Sequence, residues 1–271
     1  MSLILGPGLK LGKKNMNTKF YITLVIIFII SGCGQSLDKN SYRQISEGPI
    51  IGAEGENDTY VWKGIPFAEP PLGELRWKAP KNPSSWVDTL EASTFKSGCF
   101  QRSSTFGEDG DNDWSGSEDC LYLNVWTPKL MPMEINESKQ LPVMMWIHGG
   151  GNTVGSAHMY DPSLLVSEHN VIVVTIQYRM GSLGWFRHPA LHDSNASLSD
   201  ISGNYGTLDT IKALEWINKN IQSFGGNPDN VTVFGESAGA HNASAIFASP
   251  LAEGLYDLSL IHISEPTRLS T

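Results

Sequence analysis

Ser237 stands in Gly235-Glu236-Ser237-Ala238-Gly239, and the residues on either side decide what that spacing can do. Before it runs Val231-Thr232-Val233-Phe234, suited to a strand; after it come Ala238-Gly239-Ala240, small and compatible with a helix. Glycine and serine are common, so the bare Gly-x-Ser-x-Gly pattern is weak evidence, and alone it reads as a glycine-rich turn. Strand, tight turn and helix together make a nucleophile elbow. Side chains at 235 and 239 would collide with neighbouring backbone. The turn lifts the serine hydroxyl off the sheet and sets it at a helix N-terminus, where free N–H groups favour developing negative charge.

A second constellation lies upstream. His148-Gly149-Gly150-Gly151 follows directly on the apolar run Val143-Met144-Met145-Trp146-Ile147. Three glycines leave backbone N–H groups unshielded, which suits a carbonyl oxygen turning into an oxyanion. With the N–H of Ala238 this gives a three-donor oxyanion hole from Gly150, Gly151 and Ala238. The same glycines lack the spacing and the lysine of a phosphate loop. No histidine is spaced to serve Ser237 as general base. His148 belongs to the glycine turn and His241 falls one helical turn past the serine, facing solvent or packing. His158, His169, His188 and His192 are scattered. No metal-ligand spacing of a known kind occurs, and no cofactor is implied.

The elements that must position these groups are legible as apolar runs. Residues 143–147, 171–176 and 231–234 are continuous and read as strands buried on both faces. Between the last two, Leu208, Ile211, Leu214, Ile217 and Ile221 recur at helical spacing, and Phe224-Gly225-Gly226-Asn227-Pro228 stops the helix. Strand, helix and strand with buried strands predict an α/β fold with right-handed parallel crossovers. Leu121 to Trp126 alternates as a further strand, and residues 49–62 read as an edge hairpin. Residues 133–140 read as a polar turn. No internal repeat is present.

Composition sets outer bounds. The chain has 271 residues, 40% hydrophobic and 10% aromatic, enough for a large core in one or two domains. A formal net charge of −9 argues against nucleic acid, which needs a basic face. Part of that charge lies between Glu108 and Asp119, read as a solvated loop.

The N-terminus reads as an export signal. Lys19 precedes an apolar run over 20–30, short for a membrane span and right for a signal-peptide core. Ile30-Ser31-Gly32-Cys33 is similar to a bacterial lipobox, which makes Cys33 the lipidated mature N-terminus; an ordinary small-residue cleavage site is the alternative. Met16 is the better start, leaving residues 1–15 as upstream sequence. The expected localisation is the bacterial cell envelope, through a lipid anchor, or the periplasm or medium. Residues 34–47 form a tether. Export permits disulfides. Cys99 and Cys120 bracket the acidic loop, so a bridge between them would close it; two free buried thiols are the alternative.

The sequence around Glu118-Asp119-Cys120-Leu121-Tyr122-Leu123-Asn124-Val125, taken with the serine elbow, resembles the type-B carboxylesterase family, which includes the cholinesterases. Gly64-Ile65-Pro66-Phe67-Ala68, Tyr178-Arg179 with Gly184-Trp185-Phe186, and Asn204-Tyr205-Gly206-Thr207-Leu208-Asp209 add to it. The resemblance covers residues 48–257. It implies the N-terminal half of an α/β-hydrolase fold, a mixed, mostly parallel sheet with an antiparallel N-terminal edge. It also implies Ser237 as nucleophile, the oxyanion hole named above, a Cys99–Cys120 disulfide and a small-molecule carboxylic ester as substrate. It departs from the family at Asn152, where an aromatic usually follows the glycines, so the acyl pocket is expected to be more polar or more open. Trp114 lies in the disulfide loop, but the stretch to Cys120 is shorter than in cholinesterases, and their cation-binding role is not carried over. The resemblance fails after Asp257. Residues 258–271 read as foreign, adapter-like sequence, and the acid and base that the family places further on are expected to be absent from this chain. The chain is then expected to be a truncated, inactive piece of an esterase. A non-catalytic adhesion ectodomain on the same fold is the alternative; such relatives typically lose the elbow serine.

Overall fold

The computed structural model describes residues 36–105, 107, 113–135, 140–191 and 194–262. The signal-like segment, Cys33 and most of the tail lie outside the described residues.

The chain enters through short strands. Arg43–Gln44 (β1) pairs antiparallel with Pro49–Ile51 (β2). Ala53–Glu54 (β3) pairs antiparallel with Thr59–Pro66 (β4), an edge hairpin that starts later than the 49–62 expected, because residues 49–51 pair in another sheet. Leu90–Glu91 (β5) joins β2 in a small separate sheet. Gln101–Arg102 (β6) pairs with Trp114–Ser115 (β7), so the acidic loop carries a two-residue ribbon at its base. Cys99 and Cys120, both buried, are joined by a disulfide that closes this loop.

The main sheet is built from the apolar runs. Tyr122–Pro128 (β8), Leu141–Ile147 (β9), Ile172–Ile176 (β10), Gly226–Glu236 (β11) and Leu258–His262 (β12) join β3 and β4 in the order β12-β11-β9-β10-β8-β4-β3. From β10 to β12 the pairings are parallel. From β10 towards β3 they are antiparallel. The fold is the α/β class expected, with its antiparallel edge at the N-terminal side. The backbone of Leu258–His262 lies in register beside β11.

Among the described residues five α-helices accompany the sheet. Ser163–His169 (α1) packs Val166 against Val61, Trp126 and Val173. Gly181–Gly184 (α2) is a single turn after β10. Leu198–Ile201 (α3) precedes Tyr205–Asn220 (α4), the helix predicted from the spacing of Leu208 to Ile221, which ends one short turn before Gly225 at φ +87°. Ala238–Phe247 (α5) follows β11. Leu214 and Ile217 of α4 and Ala243 and Ile246 of α5 pack in one core cluster with Val143, Met145, Ile147, Val231 and Val233.

One expectation needs correction. Of the three runs read as buried on both faces, only β10 is buried at every residue. On β9, Val143, Met145 and Ile147 are fully buried while Met144 and Trp146 are half-buried; β11 repeats this with Thr232 and Phe234. A continuous apolar run reports low polarity, not the number of layers above it, and the far face here is only partly covered. No helix among the described residues is long and apolar enough to cross a membrane.

Candidate active site

The site forms where β9 and β11 end side by side. Their parallel register pairs Ile147 with Gly235, so the glycine turn and the serine elbow leave the sheet at the same level. Ser237 is the N-cap of α5 with φ +56° and ψ −118°, a conformation L-residues rarely adopt. Holding it there costs roughly 1–3 kcal/mol, which the packing around the elbow must offset. That packing explains the two glycines. A Cβ on Gly235 would sit 2.6 Å from the Gly239 carbonyl carbon and 2.7 Å from the Ile147 oxygen. A Cβ on Gly239 would strike the same Ile147 carbonyl. The expectation of an elbow with no room at 235 and 239 matches this geometry.

The glycine turn lies directly against the serine. A Cβ on Gly149 would come within 3.3 Å of the Ser237 Cβ and 2.9 Å of the Glu236 carbonyl oxygen. Gly150 has φ +100°, and the N–H groups of Thr153 and Val154 both donate to its carbonyl, curling the turn back on itself. Among the described residues no backbone acceptor takes the N–H of Gly150, Gly151 or Ala238. Ser237 is half-buried, Gly151 is exposed and Ala238 is buried.

His148 is fully buried and stacks on Tyr178 with centroids 4.4 Å apart. Its Nδ1 lies 2.9 Å from the Gly149 carbonyl oxygen, which requires the Nδ1-protonated tautomer. Burial, reinforced by His158, pulls its pKa down to about 4, so the ring is neutral near pH 7. His241 is exposed on α5, His169 and His188 are exposed, and His158 stacks on Phe95. Among the described residues the Ser237 side chain makes no capping hydrogen bond.

Beneath the site, Arg179 and Asp209 form a buried bidentate ion pair, with Nε 2.8 Å and Nη2 2.7 Å from the carboxylate oxygens. The Arg179 backbone N–H also donates to Asp209, 3.0 Å away. Burial pushes the Asp209 carboxyl up, against the pull of Arg179. The pair ties the segment after β10 to α4. Two further residues escaped the sequence reading: Asn242 on α5, and Tyr178, whose hydroxyl donates to the His148 carbonyl at 2.7 Å. Asn242 had no periodic signal, and the Asn242-Ala243-Ser244 sequon in which it stands does not point to this contact. Tyr178 stood in a recognised motif, but its partner lies 30 residues away.

A mixed sheet flanked by helices, with a serine elbow and a glycine turn at the ends of adjacent parallel strands, defines the α/β-hydrolase class. Within that class the chain belongs to the carboxylesterase family, whose model matches residues 39–264. It is 46% identical over 208 residues to the para-nitrobenzyl esterase of Bacillus subtilis, covering 76% of this chain and 40% of that protein. It is 42% identical over 229 residues to fumonisin B1 esterase of Sphingopyxis macrogoltabida, covering 84% and 40%. Among solved structures, a thermophilic para-nitrobenzyl esterase superposes with a TM-score of 0.71 at 41% identity over 82% of this chain and 44% of that one. A carboxylesterase from Geobacillus stearothermophilus gives 0.69 at 38% identity over 81% and 42%. The chain therefore spans about 40% of the length of the curated relatives it matches.

Proposed function

We propose that this chain carries the nucleophile and oxyanion hole of a serine carboxylic-ester hydrolase acting on small-molecule esters. The Ser237 Oγ attacks the ester carbonyl. The carbonyl oxygen becomes an oxyanion and accepts hydrogen bonds from the N–H groups of Gly150, Gly151 and Ala238. A general base takes the serine proton and returns it to the departing alkoxide, leaving an acyl-enzyme that water then hydrolyses. The observation that carries the reading is the 3.3 Å approach of the Gly149 Cβ position to the Ser237 Cβ, which supports a glycine turn lying against the serine elbow. The base and its orienting carboxylate come from outside the described residues. His148 is buried and neutral, His158 stacks on Phe95, and His169, His188 and His241 are exposed.

An organophosphonate is expected to label the whole gene product at Ser237 and to leave the Ser237→Ala variant unlabelled. An active esterase unlabelled at Ser237 sinks the reading. The 271-residue chain alone is expected to show no labelling burst, because an unassisted hydroxyl is a poor nucleophile. A burst from it would show that the base is already present.

The sequence further supports export and acylation at Cys33, which would place the esterase on the cell envelope. Cys33→Ser is expected to move the protein from the membrane to the soluble fraction; unchanged membrane association counts against the anchor.

A further inference from the structure

The two ends of the glycine turn are tied to the helix that carries the serine, and the tie runs through one residue. Asn242 is 3% exposed on α5, five residues past Ser237. Its Nδ2 donates to Asn152 Oδ1 at 2.9 Å, and Asn152 Nδ2 reaches back to Asn242 Oδ1 at 3.5 Å. Asn152 closes the glycine turn at φ +58°, a left-handed conformation that asparagine tolerates better than most residues. Its carbonyl accepts the Gly181 N–H at 2.6 Å, so backbone and side chain are both held. At the other end of the turn, the His148 carbonyl accepts the Tyr178 hydroxyl, and the Asn242 side chain faces that hydroxyl as well.

We propose that Asn242 and Asn152 form a clip that sets the register between the Gly150 and Gly151 amides and Ser237, making both positioning residues for the oxyanion hole. The inference rests on the esterase reading above. Backbone donors cannot be replaced by mutation of their own side chains, so their aim depends on what holds the turn. Misplacing them by about 1 Å is enough to cost rate with little effect on ground-state binding.

The test uses the whole gene product, short 4-nitrophenyl esters, and active sites counted by organophosphonate titration. Asn242→Ala and Asn152→Ala are each expected to lower kcat per titrated site about tenfold or more, with KM changed less than about threefold. Affinity for a trifluoromethyl ketone, which captures Ser237 as a tetrahedral adduct, should fall in parallel with kcat/KM. The double variant should fall no further than the worse single one, because both break one clip. Loss of folded protein lowers the titrated site count and leaves kcat per site alone, which separates a structural role from a positioning one. Single variants with kcat within about twofold of wild type, or losses that multiply in the double variant, overturn the clip. If Asn242→Ala does not fold, the half-buried Asn152→Ala decides by the same criterion. Wild-type protein that never labels at Ser237 overturns the esterase reading itself and the clip with it. Normal labelling with unaffected variants overturns the clip alone.

Discussion

His148 and Ser237 are one residue beyond adjacent strand ends, yet their environments push them to opposite roles. Ser237 is half-buried in a strained turn with its hydroxyl at a helix N-terminus. His148 is sealed beneath the turn, where its cation has no water to solvate it. Its folded pKa of about 4 lies below the ordinary 6.5, so the folded state binds fewer protons than the unfolded one between those values. Its contribution to stability is therefore complete above pH 6.5 and is lost as the pH falls towards 4, by up to about 3 kcal/mol. An NMR titration of the His148 ring should show a midpoint near 4, and thermal stability should decline over the same window. A midpoint near 6.5 would place the ring in water and contradict the burial.

At the scale of elements, the Arg179–Asp209 pair is the pin between the end of β10 and α4. Both side chains are almost wholly buried, so removing one charge strands the other. Asp209→Asn is expected to cost about 3–5 kcal/mol in denaturant unfolding, and Arg179→Met with Asp209→Leu distinctly less than either single change. A double variant as unstable as the sum of the singles would show that the two side chains act separately. Such pins are invisible in a sequence. Elements with a long apolar run or a helical period, such as β10 and α4, could be read directly, because burial imposes a repeating pattern. The serine elbow was legible because a tight turn demands glycine at fixed offsets, here 235 and 239. The small sheet of β1, β2 and β5 was not, since strands of two or three residues carry no period. Asn242 was not either: a polar residue in a helix looks solvent-facing until its partner, 90 residues earlier, is seen beside it. The over-reading of β9 and β11 has a similar root, since apolar content does not count covering layers.

For the molecule as a whole, the half-covered face of the sheet is the consequential surface. Trp146, Phe234, Tyr160, Met159 and Leu165 line a groove of about 390 Å³ there, and Phe247 and Leu251 are also exposed. Contiguous apolar surface on this scale binds apolar probes. The 271-residue chain is expected to enhance anilinonaphthalene sulfonate fluorescence at neutral pH, with energy transfer from tryptophan that weakens in Trp146→Phe. No dye binding by the folded chain would mean that the face is covered in solution. The register that pairs Ile147 with Gly235 reaches further still. On the proposed esterase reading, nucleophile and donors hang from neighbouring rungs of one ladder, and the reacting geometry is written in main-chain spacing. Under that reading, changes in loops elsewhere leave this spacing untouched.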